Sequence, residues 1–181
     1  MPQTAVSVSL YARFFHARGA TRVLDYGTGT MRNALYLAEQ GFSVYAADLP
    51  EQVATLIPCP EVQRLAGLMD TDQLCMSRLD VDLVVSTYVF NIIPEYEEQR
   101  RYVANAVRNL RSGGYLLMEV RCPREGSVCG DDCSHYFKCS SCAKTYTHTE
   151  LDRVLQPFGL HRISHYYRRR AVAAIYQKRE W

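Results

Sequence analysis

Short apolar runs alternate along the chain with stretches that have helical spacing. Runs such as RVLDY at 22–26 and DLVVST at 82–87 are typical of buried strands. Stretches such as MRNALYLAEQ at 31–40 contain good helix formers and end at a glycine. The pattern predicts strands at 22–26, 43–48, 62–66, 82–87, 115–121, 160–167 and 171–178, with helices at 6–18, 31–40, 51–57, 94–110 and 150–157.

Alternating strands and helices favour a parallel sheet that is covered by helices on both faces. The last two strands follow each other directly around Arg168, Arg169 and Arg170, which predicts an antiparallel hairpin. The predicted fold class is therefore α/β, with a Rossmann-like, doubly wound, mixed seven-stranded sheet that ends in an antiparallel hairpin. We expect one domain over 1–181, with a cysteine-rich insertion at 122–147 between the fifth strand and the last helix.

The first predicted strand runs into a glycine turn, Asp25-Tyr26-Gly27-Thr28-Gly29-Thr30. A Gly-x-Gly turn between a strand and a helix brings backbone N–H groups to the carboxyl edge of the sheet, and it lets a ligand approach closely. The second strand ends about 20 residues later at Asp48, where a carboxylate can accept both hydroxyl groups of a ribose. These features predict a site for a ligand that contains adenosine.

Two other interpretations of the turn stay open. A dinucleotide site usually has a third glycine, as in GxGxxG, and Arg32 stands at that position, which weakens a dehydrogenase with a nicotinamide cofactor. A plain structural turn of another α/β protein is the remaining alternative.

The sequence resembles the class I S-adenosylmethionine-dependent methyltransferases. VLDYGTGT matches their first motif and YAADLP the acidic end of their second strand, and the Arg-Asn pair after the turn is similar to small tellurite-resistance and thiopurine-type members. DLVVSTYVFNIIP, LRSGGYLLMEV and the closing TYTHTELDRVLQPFG resemble later family segments, whereas 49–80 matches poorly. Met31 departs from the family, which commonly has a third glycine there.

The resemblance implies an S-adenosylmethionine cofactor and roles for eight residues. Asp25, Gly27 and Gly29 would hold the methionine part of the cofactor. Asp48 would hold its ribose, and Leu49 would pack on the adenine. Asp70 (or Asp72) would meet the adenine amino group, and Ser86 and Thr87 would border the methyl group.

The methyl acceptor is not indicated by any motif. Methyl transfer from a sulfonium is an in-line displacement, and it needs a base only when the acceptor must lose a proton. Ser86-Thr87-Tyr88-Val89 replaces the Asp/Asn-Pro-Pro-Tyr/Phe motif of enzymes that methylate adenine or glutamine, so that chemistry is disfavoured. Tyr88 and Phe90 either line an acceptor pocket or belong to the core, and the core interpretation is favoured. Both a small molecule and a nucleic acid remain possible acceptors.

Five of the seven cysteines lie between Cys122 and Cys142. Cys139 and Cys142 have the spacing of a zinc knuckle, and Cys129 and Cys133 would complete four thiolate ligands. A structural zinc ion is the preferred interpretation, because it would stabilise a short segment with few core residues. Unligated thiols and disulfides are the alternatives, and Cys122 is the residue left without a ligand role.

Composition and charge limit the remaining possibilities. The chain is 48% hydrophobic and 22% charged, as in soluble globular proteins, and its formal charge of +2 is too small to predict a nucleic-acid partner. With no apolar run of about 18 residues and no signal-peptide pattern, we expect no membrane span and a cytoplasmic location. The aromatic and basic stretch at 165–170 suits either a solvated turn or a nucleic-acid contact.

The sequence therefore predicts an S-adenosylmethionine-dependent methyltransferase with an unidentified acceptor. The main alternative is a zinc-containing module that binds nucleic acid or protein on a catalytically inactive methyltransferase fold.

Overall fold

The computed structural model describes residues 3–122 and 144–180. They form one mixed sheet of seven strands in the order β3-β2-β1-β4-β5-β7-β6. The strands are β1 (Arg22–Tyr26), β2 (Ser43–Asp48), β3 (Gly67–Asp70), β4 (Val81–Thr87), β5 (Leu110–Arg121), β6 (Leu160–Arg168) and β7 (Ala171–Lys178). Strands β1 to β5 are parallel, and β7 is antiparallel to both β5 and β6. The predicted fold class is confirmed.

Two apolar cores lie on opposite faces of the sheet. One contains Phe15 and Leu37, and the other contains Leu74, Val103 and Leu151. The helices that contribute to the two cores are α1 (Val6–Ala17), α2 (Arg32–Glu39), α3 (Pro50–Leu56), α4 (Thr71–Met76), α5 (Tyr96–Asn109) and α6 (His148–Leu155). Strand β4 is buried along its whole length because helices cover it on both faces.

The region around β3 differs from the prediction. The strand expected at 62–66 is wrong, because Pro60–Arg64 form a short 3₁₀ turn and the strand begins at Gly67. Proline fixes the backbone dihedral φ of Pro60 near the helical value, which suits the first position of such a turn. Helix α4 was not predicted, although Asp70 and Gln73 form a reciprocal capping box at its start.

The start of α6 is also shifted relative to the prediction. A helix that begins at residue 150, as predicted, would be capped by Thr149. Thr147 caps it instead, because Thr147 stands three residues before Glu150 and pairs with it in a capping box. The predicted hairpin is confirmed, with Arg168 paired with Ala171 across a turn in which Arg169 has a left-handed backbone.

Candidate active site

A cavity of about 790 Å³ opens at the carboxyl ends of β1, β2 and β4. In open α/β sheets this edge is where ligands bind, because the loops diverge where the strand order reverses. The order β2-β1-β4 places that reversal between β1 and β4. Five of the eight predicted cofactor residues line the cavity, namely Gly27, Gly29, Asp48, Leu49 and Thr87.

The glycine turn forms one wall of the cavity. Gly27 and Gly29 both have a left-handed backbone, with φ of 87° and 55°. A side chain on Gly27 would overlap a methyl group of Val89, whereas a Cβ on Gly29 would meet no atom within 4 Å. The amides of Gly27 and Thr28 both donate to the Ala47 carbonyl, at 2.8 and 3.0 Å. These two amides therefore hold the turn against β2 instead of facing a ligand, as the sequence analysis had assumed.

Asp48 joins the glycine turn to the end of β2. One carboxylate oxygen accepts the Gly29 amide at 2.7 Å, and the other accepts the Leu49 amide at 2.8 Å. Because an ionised carboxylate has about four acceptor positions, two remain for a ligand. Gln52 fixes the turn from the other side by donating to the Gly29 carbonyl at 2.8 Å.

Asp25 lies behind the wall and not in it. Its carboxylate is 1% exposed and accepts a hydrogen bond from the Thr28 hydroxyl at 2.7 Å. Burial raises the pKa of Asp25 to about 6, and the charge of Asp48 adds to this rise. Asp25 thus holds the glycine turn from below, at a distance from the cavity itself.

The two predicted residues at the end of β4 have different positions. Ser86 is fully buried and accepts the Tyr102 hydroxyl at 2.7 Å, so it faces the core. Thr87 lines the cavity, and its hydroxyl accepts the side-chain amide of Asn33 at 2.9 Å. Asn33 also accepts hydrogen bonds from Thr4 and from the Ala5 amide, so this corner of the cavity is tied to the segment before α1.

The part of the cavity expected to meet adenine differs from the prediction. Leu49 is 60% exposed at the cavity and presents an apolar surface there. The structure does not bring Asp70 into the cavity, because its carboxylate caps α4 by accepting the Gln73 amide at 2.8 Å. The neighbouring Thr71 lines the cavity instead.

Of the two predicted positions, in the core or in the lining of the acceptor pocket, Tyr88 and Phe90 each take a different one. Phe90 is fully buried in the core, as expected, whereas Tyr88 lines the cavity. Tyr88 has a φ of 59°, which is unusual for an aromatic residue. Its hydroxyl donates to Glu119 at 2.7 Å, and its amide donates to the Glu119 carbonyl, also at 2.7 Å.

Helix α5 contributes residues that the sequence analysis missed. Arg101, Tyr102 and Asn105 line the cavity, and Tyr102 stacks on Tyr26 with ring centroids 4.1 Å apart. Their helical spacing places them on one face of α5, but nothing local indicates that this face meets the glycine turn. With Arg32, Asp48 and Glu98 also in the lining, charges of both signs border the cavity.

The predicted zinc ligands Cys129, Cys133, Cys139 and Cys142, and most of the 122–147 insertion, lie outside the described residues. Within 3–122 and 144–180, no group of three or more metal-binding side chains occurs. Cys122 is buried with a free thiol, and Cys59 and Cys75 are half-buried free thiols. No helix in the described part of the chain is long and apolar enough to cross a membrane.

Comparison with known proteins assigns the family. A model of the methyltransferase domain family matches residues 5–179, so the chain belongs to that family. The prediction of an S-adenosylmethionine-dependent methyltransferase is thereby confirmed, with the acceptor unspecified. No curated protein sequence matches the chain.

Solved structures of similar fold agree with this assignment. The Burkholderia thailandensis 1,6-didemethyltoxoflavin-N1-methyltransferase, bound to 1,6-didemethyltoxoflavin and S-adenosylhomocysteine, is 18% identical with a TM-score of 0.67, over 97% of this chain and 79% of that one. A TehB-like methyltransferase from Corynebacterium glutamicum is 18% identical with a TM-score of 0.64, over 93% and 86%. The PH0226 protein from Pyrococcus horikoshii is 14% identical with a TM-score of 0.73, over 94% and 88%.

Proposed function

We propose that the cavity binds S-adenosylmethionine through the glycine turn and Asp48, and that the methyl group passes to a small-molecule acceptor. The observation that carries the proposal is the Asp48 carboxylate. It is fixed at the cavity by two backbone amides and keeps acceptor capacity for a pair of ribose hydroxyls. The third glycine that is usual in a dinucleotide site, as in GxGxxG, is replaced by Arg32.

The shape of the wall fits the cofactor part by part. The open space over Gly29 suits close approach of the methionine part, and the exposed Leu49 suits an adenine ring. Asp25 supports the glycine turn from behind, and Thr87 lines the cavity at the end of β4. When bound, S-adenosylmethionine supplies an electrophilic methyl group on a sulfonium centre. The residues of the chain orient the acceptor and exclude water from it.

A small-molecule acceptor is favoured over a nucleic acid by the cavity. Its volume of about 790 Å³ lies in the ordinary range for small-ligand sites. Val89, Ile92 and Ile93 make part of its rim apolar, and its charged residues carry both signs. A groove for a nucleic-acid backbone would instead be lined mainly by positive charge. The 18%-identical 1,6-didemethyltoxoflavin-N1-methyltransferase, whose structure contains bound 1,6-didemethyltoxoflavin, supports this choice by analogy.

Cofactor binding is tested by calorimetric titration with S-adenosylmethionine, S-adenosylhomocysteine and NAD. We expect the first two to bind and NAD not to bind. Asp48→Ala should weaken binding by at least tenfold, because a charged acceptor of two hydroxyls is lost. Glu51→Ala is the matched control, since Glu51 is an exposed carboxylate on α3 outside the cavity lining. Binding of NAD alone would favour a dehydrogenase. RNA or protein binding without either cofactor would favour the inactive binding module.

We also propose a structural zinc ion held by Cys129, Cys133, Cys139 and Cys142, on the sequence spacing alone. We expect about one zinc per purified chain by atomic emission spectroscopy, and loss of that zinc in Cys139→Ser. Cys122→Ser is the matched control and should retain it. Zinc-free wild-type protein that is folded and binds the cofactor would contradict the proposal. We also propose a cytoplasmic location, because the sequence has no long apolar run and no signal-peptide pattern. The Arg-Asn pair after the glycine turn is the basis for proposing a closer relation to the tellurite-resistance and thiopurine-type members.

A further inference from the structure

Glu119 is a buried carboxylate in the middle of the sheet and next to the cavity. It belongs to β5, is paired in register with Thr87 of β4, and is 5% exposed. No Lys, Arg or His of the described residues forms an ion pair with it. Its partners are two hydroxyl groups, Tyr88 on one oxygen and Ser7 of α1 on the other. A carboxylate held in this way, among hydroxyls and without a cation, is unusual enough to need an explanation.

The bond to Glu119 determines what Tyr88 can offer to a ligand. The Tyr88 hydroxyl donates to a carboxyl oxygen of Glu119, and a phenol has only one hydrogen, so that hydrogen is committed to Glu119. Burial, the hydrogen bond to Glu119 and the charge of Glu119 all raise the pKa of Tyr88, so the phenol keeps its proton. Tyr88 lines the cavity, and the bond to Glu119 leaves the lone pairs of its phenol oxygen unused. Tyr88 therefore presents an acceptor of hydrogen bonds at this place.

The backbone conformation of Tyr88 also indicates that the orientation of its side chain toward Glu119 has a function. A φ of 59° is costly for an aromatic residue, and such strain is concentrated at functional sites. The second bond between these residues, from the Tyr88 amide to the Glu119 carbonyl at 2.7 Å, fixes the main chain in that conformation. The observed outlier and the cavity position are independent of the side-chain hydrogen bond.

We propose that Tyr88, with its hydrogen committed to Glu119, receives the O–H, N–H or S–H of the methyl acceptor at the atom that is methylated. This inference rests on the proposed function and deepens it. The acceptor class is a small molecule with a removable proton on its reacting heteroatom, such as a phenol or an azole. Tertiary amines and thioethers, which have no such hydrogen, are excluded as preferred acceptors.

The same pair provides a route for the proton that methyl transfer releases. The heteroatom forms a bond to the methyl carbon, and the carbon–sulfur bond breaks with its electron pair left on sulfur. The proton of the heteroatom passes to the phenol oxygen of Tyr88, while the phenol proton passes to Glu119. Glu119 acts through Tyr88 because its own oxygens are covered, so it is a positioning residue as well as the final proton acceptor. The other titratable groups facing the pair from the described elements are Arg32 of α2 and Tyr166 of β6.

Binding of matched probes tests the proposal without turnover. Protein saturated with S-adenosylhomocysteine is titrated with phenol and anisole, and with benzimidazole and 1-methylbenzimidazole. We expect the wild type to bind the member with a hydrogen at least tenfold more tightly in one pair or both, since a buried acceptor is otherwise left unpaired. Tyr88→Phe should reduce that preference to less than threefold without changing the affinity for S-adenosylhomocysteine. Tyr11→Phe, a tyrosine of α1 outside the cavity lining, should preserve it.

Turnover separates the proton route from simple binding. For the probe that is methylated, Glu119→Gln should lower kcat at least tenfold while KM changes less than threefold. Tyr88→Phe should lower kcat at least tenfold and also raise KM, because it removes the hydrogen-bond acceptor itself. Equal binding of both members of each pair by the wild type, binding of neither, or an unchanged kcat in the variants would overturn the proposal. If the wild type fails to bind S-adenosylhomocysteine at all, the proposed function fails instead.

Discussion

The carboxyl group of Asp25 lies beneath the glycine turn and is held there by Thr28. Folding raises its pKa from 3.8 to about 6, which corresponds to about 3 kcal/mol. Because the folded pKa is the higher one, the stability contributed by the neutral acid is complete below pH 3.8. It is lost as pH rises through about 6.

This dependence of stability on pH leads to a prediction for Asp25→Asn, which keeps an oxygen for the Thr28 hydroxyl but cannot ionise. Urea unfolding is measured at pH 4, 5, 6 and 7. As pH rises over this series, the free energy of unfolding of the wild type should fall by about 3 kcal/mol relative to that of the variant. The difference should appear mostly between pH 4 and 6. Asp72→Asn, at an exposed position in α4, serves as the control and should follow the wild type. Parallel pH profiles of the wild type and Asp25→Asn would show that the buried carboxylate does not titrate in this range.

Residue types at the glycine turn show what local sequence can determine. Gly27 and Asp48 could be predicted because strand, turn and acid are separated by short, fixed distances along the chain. Met31 could not be assigned in the same way. It takes the left-handed backbone that would suit a glycine, with φ of 61°, and its side chain is buried at 3% exposure. Packing of the Met31 side chain thus offsets the energetic cost of its left-handed backbone. The sequence alone would have favoured a glycine at this position.

Among the elements, the start of α6 gives a matched pair of substitutions. Thr147 accepts the Glu150 amide, and Glu150 accepts the Thr147 amide at 2.7 Å. Thr147→Ala should lower the free energy of unfolding by about 1 kcal/mol, the usual cost of losing a helix cap. Thr149→Ala removes the exposed threonine first expected to be the cap and should change stability by less than about 0.5 kcal/mol. Equal effects of the two substitutions, measured by chemical denaturation, would contradict the assignment.

The boundaries of elements were harder to predict than their order, for a physical reason. The order follows from apolar periodicity summed over many residues, so single positions matter little. A boundary depends on one cap or one proline, as with Thr147 at α6 and Pro60 before β3. The strand expected at 62–66 was wrong because Val62 lies in the 3₁₀ turn Pro60–Arg64, and Val62 and the following Leu65 pack on the core from there.

At the scale of the whole molecule, the cavity is assembled from segments far apart in sequence. The parallel sheet brings together the ends of β1, β2 and β4, and helix α5 closes one side. Glu119 could not be assigned from sequence, because its relation to Tyr88 depends on the register between β4 and β5. The available signal was a carboxylate within an otherwise apolar buried strand, YLLMEVR.

Asp152 of α6 links that helix to the antiparallel end of the sheet. Its carboxylate accepts hydrogen bonds from Arg162 of β6 at 3.0 to 3.2 Å and from the Tyr176 hydroxyl of β7 at 2.8 Å. One side chain thus joins three elements. The hydrogen bonds and the positive charge of Arg162 lower the pKa of Asp152 despite partial burial, which opposes them.

Asp152→Asn should therefore lower the free energy of unfolding by about 2 kcal/mol at pH 7, in the range for hydrogen bonds to charged groups. A lowered folded pKa means that the stabilisation is present above the unfolded value of 3.8 and is lost as pH falls through the folded pKa. The difference between wild type and variant should accordingly shrink at the acid end of a denaturation series from pH 7 to pH 3. Because Asp152 lies outside the cavity lining, affinity for S-adenosylhomocysteine at pH 7 should stay within about threefold of the wild type. A difference in stability that is constant over the whole pH range would show that packing, and not the charge of Asp152, holds the hairpin to α6.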